Sequence, residues 1–234
     1  MDNCNGDTTA LENKLTHNRS FLYGDAVFET LKIVQCKILF LEDHYFRLMA
    51  SMRILRMEIP MDFTMEFFEK QILNLTNSFP KSSSFRVRFS VFRNSDGFYT
   101  PISNAIEFIV KAIPFEHSVY TIEKSNYEVE LYKDFYIPKQ LLSTLKTNNK
   151  MLQIAGSIFA KENGYDTCLV LNDEKNVVEA LQSNLFMKSG NVVITPPIAD
   201  GCLNGIMRKQ IIEILKKTEA ITFKEASVSP FDLQ

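Results

Sequence analysis

The chain has 234 residues, 45% of them hydrophobic and 23% charged, and 26 basic against 28 acidic side chains leave a formal net charge of −2. That length can bury a full core in one large domain or two small ones, and the charge balance offers no basic excess to a polyanion such as DNA or RNA. Cysteines at 4, 36, 168 and 202 form no C-x-x-C pair, which argues against a zinc site, a redox motif and a dense disulfide framework.

The first twenty residues, MDNCNGDTTALENKLTHNRS, lack the basic-then-apolar order of a signal peptide, and no apolar run is long enough to span a bilayer. The expectation is a soluble, cytoplasmic protein with reduced thiols. In chain order, FETLKIVQCKILFL (28–41) reads as a β-hairpin around a polar Gln-Cys-Lys turn. In the next stretch Leu41, Tyr45, Leu48, Met52 and Leu55 recur at helical spacing, predicting an amphipathic helix that stops near Pro60. A second helix is predicted over 63–79, with Phe63, Phe67, Ile72 and Leu75 as its apolar stripe. FRVRFSVFR (85–93) and AIEFIVKAI (105–113) alternate cleanly, which predicts an antiparallel pair.

Residues 1–113 therefore read as a small α/β domain, 114–120 as a linker and 121–234 as a larger second domain. In that second part YTIEKSNYEVELY suggests strand, and LLSTL (141–145) looks like a buried strand ending at Lys146. Residues 148–163 carry a helical pattern that stops at Gly164. TCLVLN, VVEALQSNLFMK and VVITPP follow as strands, and GCLNGIMRKQIIEILKK as a glycine-flanked turn entering a helix. Strands and helices alternating in this way indicate an α/β (α+β) fold in two lobes.

Familiar catalytic patterns are missing: there is no phosphate loop, no dinucleotide fingerprint, no H-E-x-x-H and no nucleophile elbow. Histidines occur only at 17, 44 and 117, too dispersed for an obvious metal site. Four features remain. Lys146 ends an apolar run; such a lysine ordinarily snorkels to water, yet a partly desolvated amine is also a good Schiff-base former. Glu179 ends an apolar strand, where a buried carboxylate needs a partner. Gly201 to Arg208 form a glycine-bearing turn into a helix whose N-terminus suits an anion. Arg47 sits one position off its helix stripe, either a solvated flank or a phosphate clamp. An amine, a carboxylate and two anion-binding elements are the set that pyridoxal 5′-phosphate (PLP) requires.

These stretches resemble the fold-type IV PLP enzymes, the class IV aminotransferases, which include branched-chain and D-amino acid aminotransferases and aminodeoxychorismate lyase. NRSFLYGDAVFETLKI (18–33) is similar to the family's opening, LEDHYFRLMASMRIL (41–55) to its E-H-x-x-R-L helix, and LKTNN (145–149) to the lysine stretch. VVEALQSNLF (177–186) resembles the E-x-x-x-S-N signature and GCLNGIMR (201–208) the G-x-L-x-G-I-T-R turn, all in the family's order. The resemblance implies a D-amino acid aminotransferase-like fold, PLP as cofactor, a homodimer, and a small amino acid or 2-oxo acid as substrate. It implies that Lys146 forms the Schiff base and shuttles protons, that Glu179 holds the pyridine nitrogen, and that Arg47, Ile206 and Met207 hold the phosphate. Ser183 and Asn184 would support the cofactor ring and its loop. Tyr23, Phe28, Glu29, Thr30 and Arg93 would line the substrate side.

Three activities follow from that likeness: amino transfer between an amino acid and a 2-oxo acid; aminodeoxychorismate cleavage to pyruvate and p-aminobenzoate; or a binding subunit without catalysis. Departures from the pattern are Ala26 for glycine, Met207 for threonine, Lys32 for arginine and Lys150 for tyrosine or arginine. The family pattern also leads one to expect several dozen further residues after ASVSPFDLQ.

Overall fold

In the computed structural model, residues 18–76, 84–115 and 126–233 are described. They divide into two compact units. One contains the residues up to 115 together with Lys146–Asn149, and the other contains the rest from 126 onward.

The first unit begins with a short helix α1 (Arg19–Tyr23), whose first turn is capped by the Asn18 side chain and which ends at Gly24 with φ +65°. Strand β1 (Ala26–Val34) turns into β2 (Lys37–Ile38) through Gln35 and Cys36, both at positive φ, the geometry of a tight two-residue hairpin. Helix α2 (Leu41–Ile54) follows, then α3 (Met65–Asn74), capped by Thr64, and strands β3 (Ser84–Arg93) and β4 (Ile106–Phe115). The sheet order is β2-β1-β3-β4, antiparallel throughout.

Alternation decides what this sheet buries. Val27, Leu31 and Ile33 of β1 and Phe85, Val87, Phe89 and Val91 of β3 form one core with Leu48 and Met52 of α2 and Phe68 and Ile72 of α3. The Phe68 and Phe89 rings lie 4.7 Å apart, and each fully buried side chain of this size contributes about 1.5–3 kcal/mol. Of the predicted stripe, Phe63 and Ile72 are buried and Phe67 packs half-buried on the same core, whereas Leu75 is exposed and Phe68, unpredicted, is fully buried. Residues 77–79 of the predicted helix lie outside the described residues. The opposite sheet face carries Phe28, Thr30 and Lys32 beside Ser90, Arg88 and Arg86.

The second unit runs β5 (Val129–Ile137), α4 (Met151–Glu162), β6 (Thr167–Asn172), β7 (Val177–Ala180), β8 (Met187–Ser189), β9 (Val192–Thr195), α5 (Ile206–Lys216) and β10 (Thr222–Glu225). Its two three-stranded sheets have orders β5-β6-β7 and β10-β9-β8. Each contains one parallel pair, β5 with β6 and β9 with β10, joined across a helix as parallel strands require. Tyr132, Val170, Val178, Ala160 and Leu181 pack one core, and Leu169, Leu171, Val177 and Val228 another.

Several expectations change. Residues 141–145 are not a strand: Leu141–Thr144 is a 3-10 turn with both leucines exposed. Strand β10, unread in the sequence, exists because TFKE pairs in parallel with β9. Pro114 and Phe115 belong to β4, and residues 116–120 of the expected linker lie outside the described residues. No described helix is long and apolar enough to cross a membrane.

Candidate active site

In the first unit, Lys146 is held by β1 instead of by the run that precedes it in sequence. Its carbonyl accepts from the Phe28 N–H at 2.8 Å, and the Asn148 N–H donates to the Ala26 carbonyl at 3.0 Å. Val27 and Thr147 form the antiparallel bridge between these two bonds. The lysine is thus an added rung beside β1, and its position is fixed by backbone pairing. Its Nζ lies 4.9 Å from the centre of the Phe28 ring.

The same ring carries a second cation, the Arg88 guanidinium, at 3.5 Å. Arg88 donates to Asn148 Oδ1 at 2.8 Å and to Ser90 Oγ at 3.1 Å, and Asn148 Nδ2 donates to Ser20 Oγ at 2.8 Å. Burial, and secondarily the Arg86 charge, lowers the Arg88 pKa from its ordinary value. Phe28, Lys146, Arg88 and Asn148 therefore form one cluster. Thr30 lies on the same sheet face, opposite Arg88 in register. The Tyr23 ring lies edge-on to Tyr99 at 5.8 Å.

Glu29 points to the other side of β1. It is 1% exposed, and its carboxylate accepts from Arg47 Nε at 2.7 Å, Arg47 Nη2 at 2.5 Å and His44 Nδ1 at 2.7 Å. Burial alone would push this carboxyl up; the hydrogen bonds and charges of Arg47 and His44 outweigh it, and the pKa is lowered. Residues one position apart on a strand face opposite ways, so Phe28 and Glu29 cannot line one surface. Arg93 is likewise committed to packing: it is buried, and it donates to Asp25, to the Leu55 carbonyl and to Asn104. Arg19, also on Asp25, clamps the carbonyls of Gly97, Phe98 and Tyr99.

In the second unit, Glu179 comes from β7 and is 8% exposed; its Oε2 accepts the Leu203 N–H at 2.8 Å. Asn184, bridged to Glu179 by backbone pairing, donates from Nδ2 to the Leu203 carbonyl at 2.8 Å. One loop residue is thereby gripped by both. Gly205 approaches Asn184 so closely that a Cβ there would stand 1.9 Å from its Oδ1. Gly205 is the N-cap of α5 and offers no side-chain cap, so Ile206 and Met207 open an eleven-residue helix whose first N–H groups no cap side chain takes. Ile206 is buried and Met207 half-exposed, and the missing threonine hydroxyl leaves only backbone donors there. Ser183 is exposed, and its carbonyl accepts from Ala180 in the turn below Glu179. Cys202 lies in this cluster as a buried thiol pushed up by burial to about 11.

The residues fit PLP on the chemistry of each unit. The first holds an amine in place and an arginine whose plane is fixed. The second holds an anchored buried carboxylate and a helix N-terminus with glycine approach. Sequence reading missed Arg88, Asn148 and His44. Arg88 was visible in the alternation of FRVRFSVFR as an outward arginine in register with β1, and His44 as a polar residue three before Arg47.

A profile of the family described as Amino-transferase class IV matches residues 26–234. A protein of Aquifex aeolicus described as a branched-chain-amino-acid aminotransferase is 25% identical over 92% of this chain and 70% of its own length. A D-alanine aminotransferase of Staphylococcus epidermidis is 22% identical over 89% of this chain and 72% of its own length. Among solved structures, one from Legionella pneumophila described as a 4-amino-4-deoxychorismate lyase superposes with a TM-score of 0.77 at 25% identity, covering 93% of this chain and 78% of that one. The branched-chain aminotransferase of Thermoproteus uzoniensis gives 0.81 at 23% identity over 95% and 75%.

Proposed function

This chain belongs to the class IV aminotransferases, and from that premise we propose that it binds PLP through Lys146 and moves an amino group between an amino acid and a 2-oxo acid. The observation that carries the reading is the seating of Lys146: backbone pairing to β1 sets its amine over the Phe28 ring, which Arg88 also approaches. When bound, PLP supplies an electron sink for the substrate Cα–H bond.

The side chains divide the remaining work. The Lys146 amine would hold the cofactor's aldehyde carbon and, once free, would serve as the base for the substrate Cα proton. Glu179, fixed by the Leu203 N–H, would accept the ring N–H and favour a protonated nitrogen. Arg47 in the first unit, and the Ile206 and Met207 N–H groups in the second, would each suit an anion such as the phosphate, and Asn184 braces the loop that positions Leu203. Phe28, Thr30 and Tyr23 serve the substrate side; Arg88 adds a cation suited to a carboxylate. Glu29 and Arg93, occupied by Arg47 and Asp25, do not serve it directly. A homodimer is the oligomeric state that goes with this reading, and sedimentation would test it.

The test is the absorption spectrum of purified protein titrated with PLP, wild type against Lys146→Ala, followed by amino transfer from a panel of amino acids. We expect a long-wavelength band and transfer in the wild type and neither in the variant. Full activity in Lys146→Ala would end the assignment. The lyase reading rests on the Legionella likeness and is separated by one assay: pyruvate released from aminodeoxychorismate without a 2-oxo acid acceptor.

A further inference from the structure

We infer that Glu29 and His44 are positioning residues that set Arg47 as a directed phosphate donor, an inference that rests on the cofactor reading above. Three nitrogens of two α2 side chains converge on one β1 carboxylate that is 1% exposed. Arg47 gives it Nε and Nη2, and His44, one turn earlier on α2, gives it Nδ1 at 2.7 Å. A guanidinium is planar, so fixing two of its nitrogens fixes the direction in which the third donates. The Ser51 hydroxyl donates to the Arg47 carbonyl at 2.8 Å and ties the backbone of the same turn.

Stability alone is a poor reason for this arrangement. Desolvating a carboxylate and a guanidinium largely cancels their attraction, and apolar side chains of similar volume would pack as well. The arrangement also alters what Arg47 offers an anion. Glu29 offsets its charge at close range, so Arg47 contributes an aimed N–H more than a net positive field. Because an ionised carboxylate only accepts, the proton on the His44 ring that faces Glu29 sits on Nδ1. His44 thereby holds the carboxylate in the plane that the Arg47 fork requires. Glu29 acts through Arg47 and touches no substrate.

The experiment compares affinities for PLP and for pyridoxal, which lacks the phosphate, by absorbance titration of the full chain. Wild type, Glu29→Gln, His44→Leu, His44→Asn and Arg47→Ala are measured, with melting curves for each. Glu29→Gln and His44→Leu should weaken PLP by about tenfold, the worth of a charge-assisted hydrogen bond, and leave pyridoxal unchanged. His44→Asn, whose amide nitrogen can occupy the Nδ1 position, should restore PLP affinity. Arg47→Ala should show the same selective loss. Equal weakening of both ligands in Glu29→Gln and His44→Leu would mean general damage and overturn the inference, as would unchanged PLP affinity in both. If Glu29→Gln does not fold, the His44 pair decides. A wild type that binds neither ligand sinks the cofactor reading and this inference with it; a wild type that binds PLP while the variants match it sinks the inference alone.

Discussion

Replacing Gly205 by alanine tests how tightly the turn before α5 is built. At φ −74° the backbone accepts alanine without strain, so the cost comes from space alone. The new Cβ would stand 1.9 Å from Asn184 Oδ1 and 3.1 Å from its Cγ. Asn184 is short and is held at Leu203 by a 2.8 Å hydrogen bond, so it cannot yield without giving up that bond. Losing it costs about 0.5–1.5 kcal/mol, and exchanging an N-cap glycine for alanine adds up to about 1 kcal/mol. The expected total is about 0.5–2.5 kcal/mol, measured by urea unfolding. The decisive comparison is a double-mutant cycle: in an Asn184→Ala background the clash is gone, and Gly205→Ala should cost only its N-cap share. An equal cost in both backgrounds would refute the close-approach argument.

Other outcomes follow from the same structure. Glu29, with its pKa lowered against Arg47 and His44, contributes stability that is present above the ordinary glutamate value of about 4.3 and is lost as pH falls through the lowered folded value. The stability gap between wild type and Glu29→Gln, about 3 kcal/mol near neutrality, should therefore shrink on acidification; a gap constant from pH 7 to pH 3 would contradict it. Cys36 is exposed, whereas Cys168 and Cys202 are buried and Cys202 is pushed up to about 11. Alkylation at pH 8 mapped by peptide mass should modify Cys36 and spare the other two until the protein is unfolded. Modification of Cys202 at the rate of Cys36 would contradict its burial.

Elements whose burial follows a simple period were legible. Phe85, Val87, Phe89 and Val91 alternate because one face of β3 meets a core, and the α2 stripe recurs because Leu48 and Met52 meet the same core. Strand β10 was not legible: TFKE is mostly exposed, and its pairing with β9 depends on residues about thirty positions earlier. The LLSTL run misled for the opposite reason, since apolar content without alternation does not separate a strand from a surface turn. The site divided along the same line. Lys146, Glu179 and the turn into α5 stood out because each breaks a local pattern. The partners of Glu29 lie 15 and 18 residues away on another element, and no local pattern announces them. Strand parity could have warned that Phe28 and Glu29 face opposite ways.

The four residues Lys146–Asn149 lie in the chain of the second unit but pack with the first. A gene cut between the units would therefore give neither product a seated lysine: the N-terminal fragment would lack the residue, and the C-terminal fragment would carry it without the β1 rung that orders it. Supplying the N-terminal fragment in trans should return the lysine to its rung only when the fragments reassemble. That inlay makes covalent continuity of the lysine and its structural support two separate inheritances, and it ties the evolution of β1 to that of a segment more than a hundred residues downstream.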